Sequence, residues 1–258
     1  MNTILNKLGR AYFLSISTLT PFQIDLLKII ALMTMITDHV NTIFLRPHNF
    51  YLYAIGRTAF PVFTLIWAKH TALRPERLTD SASRQWMWAI ITQPVFWLAF
   101  RHTGQAWYSL NILFLFASCT QSFAWYHRYA WKGALMGIFL LMLLAWPLSK
   151  ASYGVPGLVF ASLSFAWFYF PTYTIRRFIL PIWLLSLLSL NSFLELFNWP
   201  QGTLLFAIVP TLFFTWLATD TIRKFNPQRK GRFLPKRFFY YAYVGHLAVL
   251  VIISKFII

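Results

Sequence analysis

The chain has 258 residues, of which 58% are hydrophobic and 20% aromatic, while only 11% are charged. A water-soluble domain cannot hide that much apolar surface, so the composition excludes a soluble enzyme and points to a polytopic membrane protein. The formal net charge of +17 resembles a nucleic-acid signal, but the placement of the charges accounts for most of it without DNA or RNA.

Residues 1–21 carry Lys7 and Arg10 and lack the compact apolar core and small-residue cleavage site of a signal peptide, so no cleavage is expected. Pro21 suits a helix start, and the first expected span is 22–45, FQIDLLKIIALMTMITDHVNTIFL. A short turn, Arg46-Pro47-His48-Asn49, leads to a second span at 50–69 with Gly56-Arg57 and Phe60-Pro61 inside it. The third is expected at 85–100 around Gln93-Pro94, the fourth at 107–126, and the fifth at 132–148, closed by Pro147. A sixth follows Lys150-Ala151-Ser152-Tyr153-Gly154 and runs to 170; the rest fall at 177–194, 203–219 and 238–256. The expected fold is therefore all-α: a polytopic transmembrane helix bundle of about nine spans, in a single domain over 1–258. No loop is long enough to fold alone, and there is no internal repeat.

Nine spans put the two ends of the chain on opposite sides. With the N-terminus in the cytoplasm, that side holds Lys7, Arg10, Lys69, Arg74, Arg77, Arg84, Arg128, Lys132, Arg176, Arg177 and the basic loop at 223–237. The other side holds only Arg46, Arg101, Lys150 and Lys255. That asymmetry is the positive-inside pattern of a multi-pass membrane protein, lipid being its surroundings, and supports both the span count and the orientation. Cys119 is the only cysteine; it allows no intramolecular disulfide and reads as a packing residue.

The first span carries Lys28, Asp38 and His39 inside its apolar run. An ionisable group at membrane depth costs roughly 2.5–3.5 kcal/mol on insertion scales and marks a functional candidate. Eleven residues of helix put Lys28 and His39 on nearly one face, roughly 16 Å apart along the axis. Thr34, Met35 and Asn41 sit near that stripe. The blander account is that Lys28 snorkels and Asp38 pairs with a neighbouring cation. Arg57 falls at the same expected depth on the adjacent, antiparallel span, so an Asp38–Arg57 ion pair is expected, or else a pairing of Asp38 with His39; either avoids a lone buried charge.

Asn111, Ser109, Ser152 and Tyr153 fall toward the outer ends of their spans and suggest a polar pocket; each alone also fits interfacial hydrogen bonding. His246, mid-span on the last helix, is either a satisfied helix–helix hydrogen bond or part of the site. His48, His70, His102 and His127 lie in loops or at span ends and read as surface or interface residues. No metal-ligand spacing, P-loop or GxGxxG occurs, so metal, ATP or NAD use has no support. What remains is an imidazole in a dry pocket, able to act as general base or acyl acceptor. Arg74, Arg77, Arg84 and the 223–237 loop can grip a phosphorylated donor through charge-assisted hydrogen bonds, although topogenic charge explains any one of them.

These residues also carry a family resemblance. DLLKIIALMTMITDHVN at 25–41 and AIGRTAFPVFTLIW at 54–67 carry it most specifically, with SLNILFLFASCTQ at 109–121, KASYGVPGLVF at 150–160 and YAYVGHLAVL at 241–250 in support. The chain resembles the TraX family of F-type conjugative pilin acetylases, which is similar to the broader acyltransferase-3 membrane superfamily. The Lys28-to-His39 spacing matches that superfamily's basic-x10-His pattern, and Arg74-Pro75-Glu76-Arg77 resembles its Arg-x-x-Arg motif. The resemblance implies acetyl-CoA as donor, the amino-terminal residue of mature pilin as acceptor, and His39 as the catalytic histidine. On this footing His39, Asp38 and Arg57 are the expected catalytic set, with Asp38 and Arg57 holding the imidazole. Lys28, Arg74, Arg77 and Arg84 are expected to bind the donor, and Asn111, Tyr153 and His246 to line the substrate pocket. O-acetylation of an envelope glycan, a proton-coupled transporter or flippase, and a non-catalytic pilus-assembly factor are the alternatives.

Overall fold

The computed structural model describes residues 13, 16–149, 151–170, 172–190, 220–225 and 231–257, and among them there is no β-strand. The expected eighth span at 203–219, the end of the seventh, and Lys7, Arg10, Lys150, Arg229 and Lys230 lie outside the described residues.

Helix α1 spans Pro21–Phe44. A capping box starts it: the Gln23 N–H donates to Thr20 Oγ1 at 3.3 Å, and the Thr20 N–H donates to Gln23 Oε1 at 2.9 Å. Gln23 Nε2 also donates to the carbonyls of Arg223 and Phe225, tying the helix start to a segment 200 residues away in sequence. At the other end Asn41 organises the turn, its side-chain oxygen accepting from the Asn49 N–H at 2.8 Å.

The second expected span is two helices, α2 at Phe50–Gly56 and α3 at Ala59–Ala72. Pro61 is the physical reason. It has no N–H for the Arg57 carbonyl, and its ring crowds that carbonyl, which weakens helical continuity where the chain turns at Arg57 and Thr58. The break leaves Arg57 as the residue that closes α2. Helix α4 covers Leu78–Phe100 and so starts earlier than the expected 85. Its first two turns are polar, which hides them from a hydropathy reading, and Asp80 in the first turn suits a helix N-terminus.

Helix α5, Ile112–Ser149, contains Ala130 at φ 49° and ψ −126°. There the chain reverses into the antiparallel pair expected as spans four and five. Ser122 Oγ donates to the Gly137 carbonyl at 3.2 Å across the pair. A Cβ at Gly133 would overlap the Trp125 backbone, so only glycine fits that close approach. Helices α6 (Gly154–Tyr169), α7 (Tyr173–Leu190) and α8 (Phe238–Ile257) complete the described elements.

Helix α6 packs against α3, α5 and α7, while α4 packs on the α5 hairpin and on α8. Phe60, Leu65, Leu115, Phe160 and Trp183 form the centre of the largest apolar cluster. Cys119 is fully buried in the same cluster, which agrees with a packing role. Trp131, Leu135, Phe139, Met142 and Trp146 on the second arm of α5 are exposed; such a face suits a lipid surround. Three helices are long and apolar enough to cross a membrane, Pro21–Phe44, Ile112–Ser149 and Phe238–Phe256, the second of these counted across its reversal.

Contacts place Lys69 and Arg232 at one end of the bundle and Arg46 at the other. At one end Lys69 Nζ donates to the carbonyls of Ile16 and Ser17, and Arg232 bonds Asp25 near the start of α1. At the far end Arg46 reaches the His102 carbonyl, and the Leu110 N–H donates to Pro147.

Candidate functional site

Helix α1 supplies one wall of a cavity of about 1170 Å³. Lys28, Leu32, Met35, His39 and Thr42 line it, the repeat of three and four residues that one helical face requires. The stripe expected from the spacing is therefore present, with two exceptions. Thr34 turns its hydroxyl to the Ala31 carbonyl, and Asn41 is buried in the turn at the helix end.

The cavity runs the length of that stripe. At the basic end it is lined by Arg74, Arg77 and Arg84, with His70 beside them and Arg232 and Lys236 from the segment before α8. Lys28 stands a little further in, 5.1 Å from the centre of the Phe239 ring. Phe63, Ile66 and Phe116 then form an apolar stretch, and beyond it come His39, Asp38, Arg57 and Tyr153. Among the described residues, cations greatly outnumber carboxylates along these walls, where Asp38 and Asp80 are the acids. A polyanionic group is drawn to such a mouth.

Arg57 and Asp38 form an ion pair, with 16% and 13% of their side-chain surfaces exposed. The Arg57 guanidinium also lies 4.6 Å from the Tyr53 ring centre and 5.3 Å from that of Tyr153. The pair depends on the backbone beside it: a Cβ on Gly56 would come within 2.6 Å of Asp38 Oδ1. Asp38 Oδ1 and Arg57 Nε are buried without a hydrogen-bond partner. Tyr153 has φ 64° at the start of α6, and its ring stacks on Phe60 at 4.5 Å. The Ser152 hydroxyl beside it donates to the Leu110 carbonyl.

The imidazole of His39 is held by something else. Its Nδ1 lies 2.9 Å from Nε2 of His246 on α8, and the edge of the ring meets Phe100 at 5.1 Å between centroids. The expectation that Asp38 and Arg57 hold the imidazole is thus corrected: their hydrogen bond is to each other, and His246 contacts the ring. His246 itself stands behind His39 rather than among the cavity-lining residues. Asn111 is a second correction. It is fully buried, and its side chain donates to the Ala89 carbonyl and to Gln93 Oε1, both at 2.9 Å. Gln93 Nε2 in turn donates to the Ser109 carbonyl at 2.7 Å. Ser109 and Asn111 therefore lock α4 to the start of α5 and do not line the pocket.

Two site features went unread in the sequence. Asp25 is fully buried and accepts from Arg232 and from the Leu234 N–H, fixing the segment that bears Arg232 and Lys236. It lies one turn from Lys28, which was a usable signal. Gln85 lines the cavity and meets Thr120 at 2.7 Å, while Trp67 Nε1 donates to the same hydroxyl. No sequence spacing relates those three. His70 is exposed, as expected, and also lines the basic mouth.

A sequence model described as TraX protein matches residues 23–254. Two curated proteins named Protein TraX, from Escherichia coli and from Escherichia coli strain K12, are each 37% identical to the chain, over 147 and 146 residues. The alignments cover 57% and 56% of this chain and 56% of each relative, so the chain spans about half the length of the curated relatives it matches. No solved structure matches it.

Proposed function

The chain belongs to the TraX protein family, and we propose that it is a membrane-embedded acetyltransferase moving an acetyl group from acetyl-CoA to the N-terminal amine of a conjugative pilin subunit. One observation carries this reading: a single cavity joins a cluster of cations to a histidine deep in the bundle. Arg74, Arg77, Arg84, Arg232 and Lys236 suit the phosphates of the donor. The donor's arm then passes Lys28 and the apolar stretch, and its thioester meets His39 roughly 16 Å along α1.

The acceptor amine attacks the thioester carbonyl carbon, the C–S bond breaks, and His39 takes the proton the amine loses. The apolar walls keep water from competing. In this reading the bundle sits in the bacterial inner membrane with about nine spans, the N-terminus and the cationic mouth facing the cytoplasm, and the pilin amine arrives from the far end. The grouping of the described cations supports that orientation.

The test is direct. Purified protein in lipid nanodiscs is given acetyl-CoA and a peptide copying the pilin N-terminus, and the peptide mass is followed. Acetylation by the wild type and its loss in a folded His39→Ala variant are expected. A wild type that leaves the peptide unmodified while acetylating an envelope glycan would replace pilin with that acceptor. Protein that binds no acetyl-CoA at all ends the reading in favour of transport.

A further inference from the structure

The contact between the two histidines is directional. We propose that His246 is a positioning residue that fixes His39 in its Nδ1–H tautomer, leaving Nε2 as the atom that works in the cavity. This rests on the acetyl-transfer reading only in taking His39 as the reacting group.

His246 Nδ1 lies 3.0 Å from the Ala242 carbonyl oxygen, one turn back on the same helix. A carbonyl can only accept, so that nitrogen carries the hydrogen. A neutral imidazole has one N–H, and its other nitrogen is an acceptor. His246 Nε2 therefore offers a lone pair to His39 Nδ1, 2.9 Å away, and His39 Nδ1 must be the donor. The only N–H of His39 is then committed, and its Nε2 is bare.

Ring geometry agrees. The two planes are only 17° apart and the centroids 5.1 Å apart. That separation is the sum of one hydrogen bond and two ring radii, as when the nitrogen–nitrogen line lies in both planes. In-plane approach is what an N–H and a lone pair require; face-to-face stacking would bring the centroids closer. A charged ring in either position would have no ion-pair partner among the described residues, where Asp38 pairs with Arg57.

The arrangement does the work of the carboxylate that orients histidine in a hydrolase triad, with a neutral ring in its place. In the transfer step the amine nitrogen bonds to the thioester carbonyl carbon and the C–S bond breaks. His39 Nε2 takes the amine's proton and passes it to the departing thiolate. His246 accepts from Nδ1–H throughout and receives no proton, since its own N–H stays on Ala242.

The experiment reads the tautomer without substrate. The full chain, labelled with 15N-histidine, is placed in nanodiscs, and the His39 signals are identified by their loss in His39→Asn. The expected result is a protonated Nδ1 and an unprotonated Nε2, with the Nε2–H form becoming the major one in His246→Leu. A wild type already in the Nε2–H form, or a tautomer indifferent to His246→Leu, overturns the proposal.

Kinetics supply the second arm. His246→Leu should lower kcat about 100-fold or more, with the acetyl-CoA KM within about threefold of wild type. His246→Gln, whose Oε1 can accept from Nδ1–H, should recover at least about tenfold of that loss. A kcat within about threefold of wild type in His246→Leu also overturns it. Should the wild type transfer no acetyl group, the functional reading falls, and the tautomer measurement still decides the role of His246.

Discussion

Arg57 meets Asp38 at the break between α2 and α3, where Pro61 weakens helical continuity. Each residue depends on the other, because a buried charge without its partner is far costlier than the pair. Asp38→Asn should lower stability by about 3–5 kcal/mol. The double variant Asp38→Asn with Arg57→Gln should recover more than half of that loss, as a double-mutant cycle from thermal unfolding in detergent would show. Additive losses would mean the two side chains do not interact.

Gly56 governs the same pair through space rather than charge. Gly56→Ala places a methyl group against the Asp38 side chain and should cost about 1–3 kcal/mol by overpacking. Unfolding of this variant beside the wild type checks the figure, and an unchanged midpoint would mean that the backbone of α2 can retreat.

The cationic mouth should act on donor binding and leave the chemistry alone. Under the acetyl-transfer reading, Arg74→Gln, Arg77→Gln and Arg84→Gln should each raise the acetyl-CoA KM about tenfold, the loss of one charge-assisted contact to phosphate. The kcat should stay near wild type, and added salt should weaken donor binding less in the variants than in the wild type. Initial rates at several salt concentrations test this; a fall in kcat at constant KM would place these arginines elsewhere in the reaction.

Asp25 pins the segment ahead of α8 to α1 through Arg232 and the Leu234 N–H. Asp25→Asn removes the charge that both donors face. Amide exchange around 231–237 should quicken by about tenfold or more, while exchange along α1 stays slow. Equal exchange in both proteins would show that other contacts hold the segment.

Much of the α1 stripe was legible because helical period and depth along a span are one-dimensional quantities, and a sequence records them. Lys28, Met35 and His39 fell on one wall, and Asp38 and Arg57 matched in depth, from spacing alone. The order of helices around a bundle leaves no such record. Asn111 has the expected depth but turns toward Gln93 and Ala89, and His246 meets His39 from 207 residues away. The polar opening turns of α4 escaped a reading based on apolar runs. The division of the second span was written in Pro61 but outweighed by the apolar residues around it.

The distance in sequence between the two histidines has a temporal side. A ribosome translating this chain releases His39 long before it reaches α8, and during that interval His246 is not yet there to meet the imidazole. Under the acetyl-transfer reading, competence therefore arrives with the docking of one late helix. On that same reading, a nascent or prematurely terminated product lacking α8 would carry His39 without the ring that prepares it as a base.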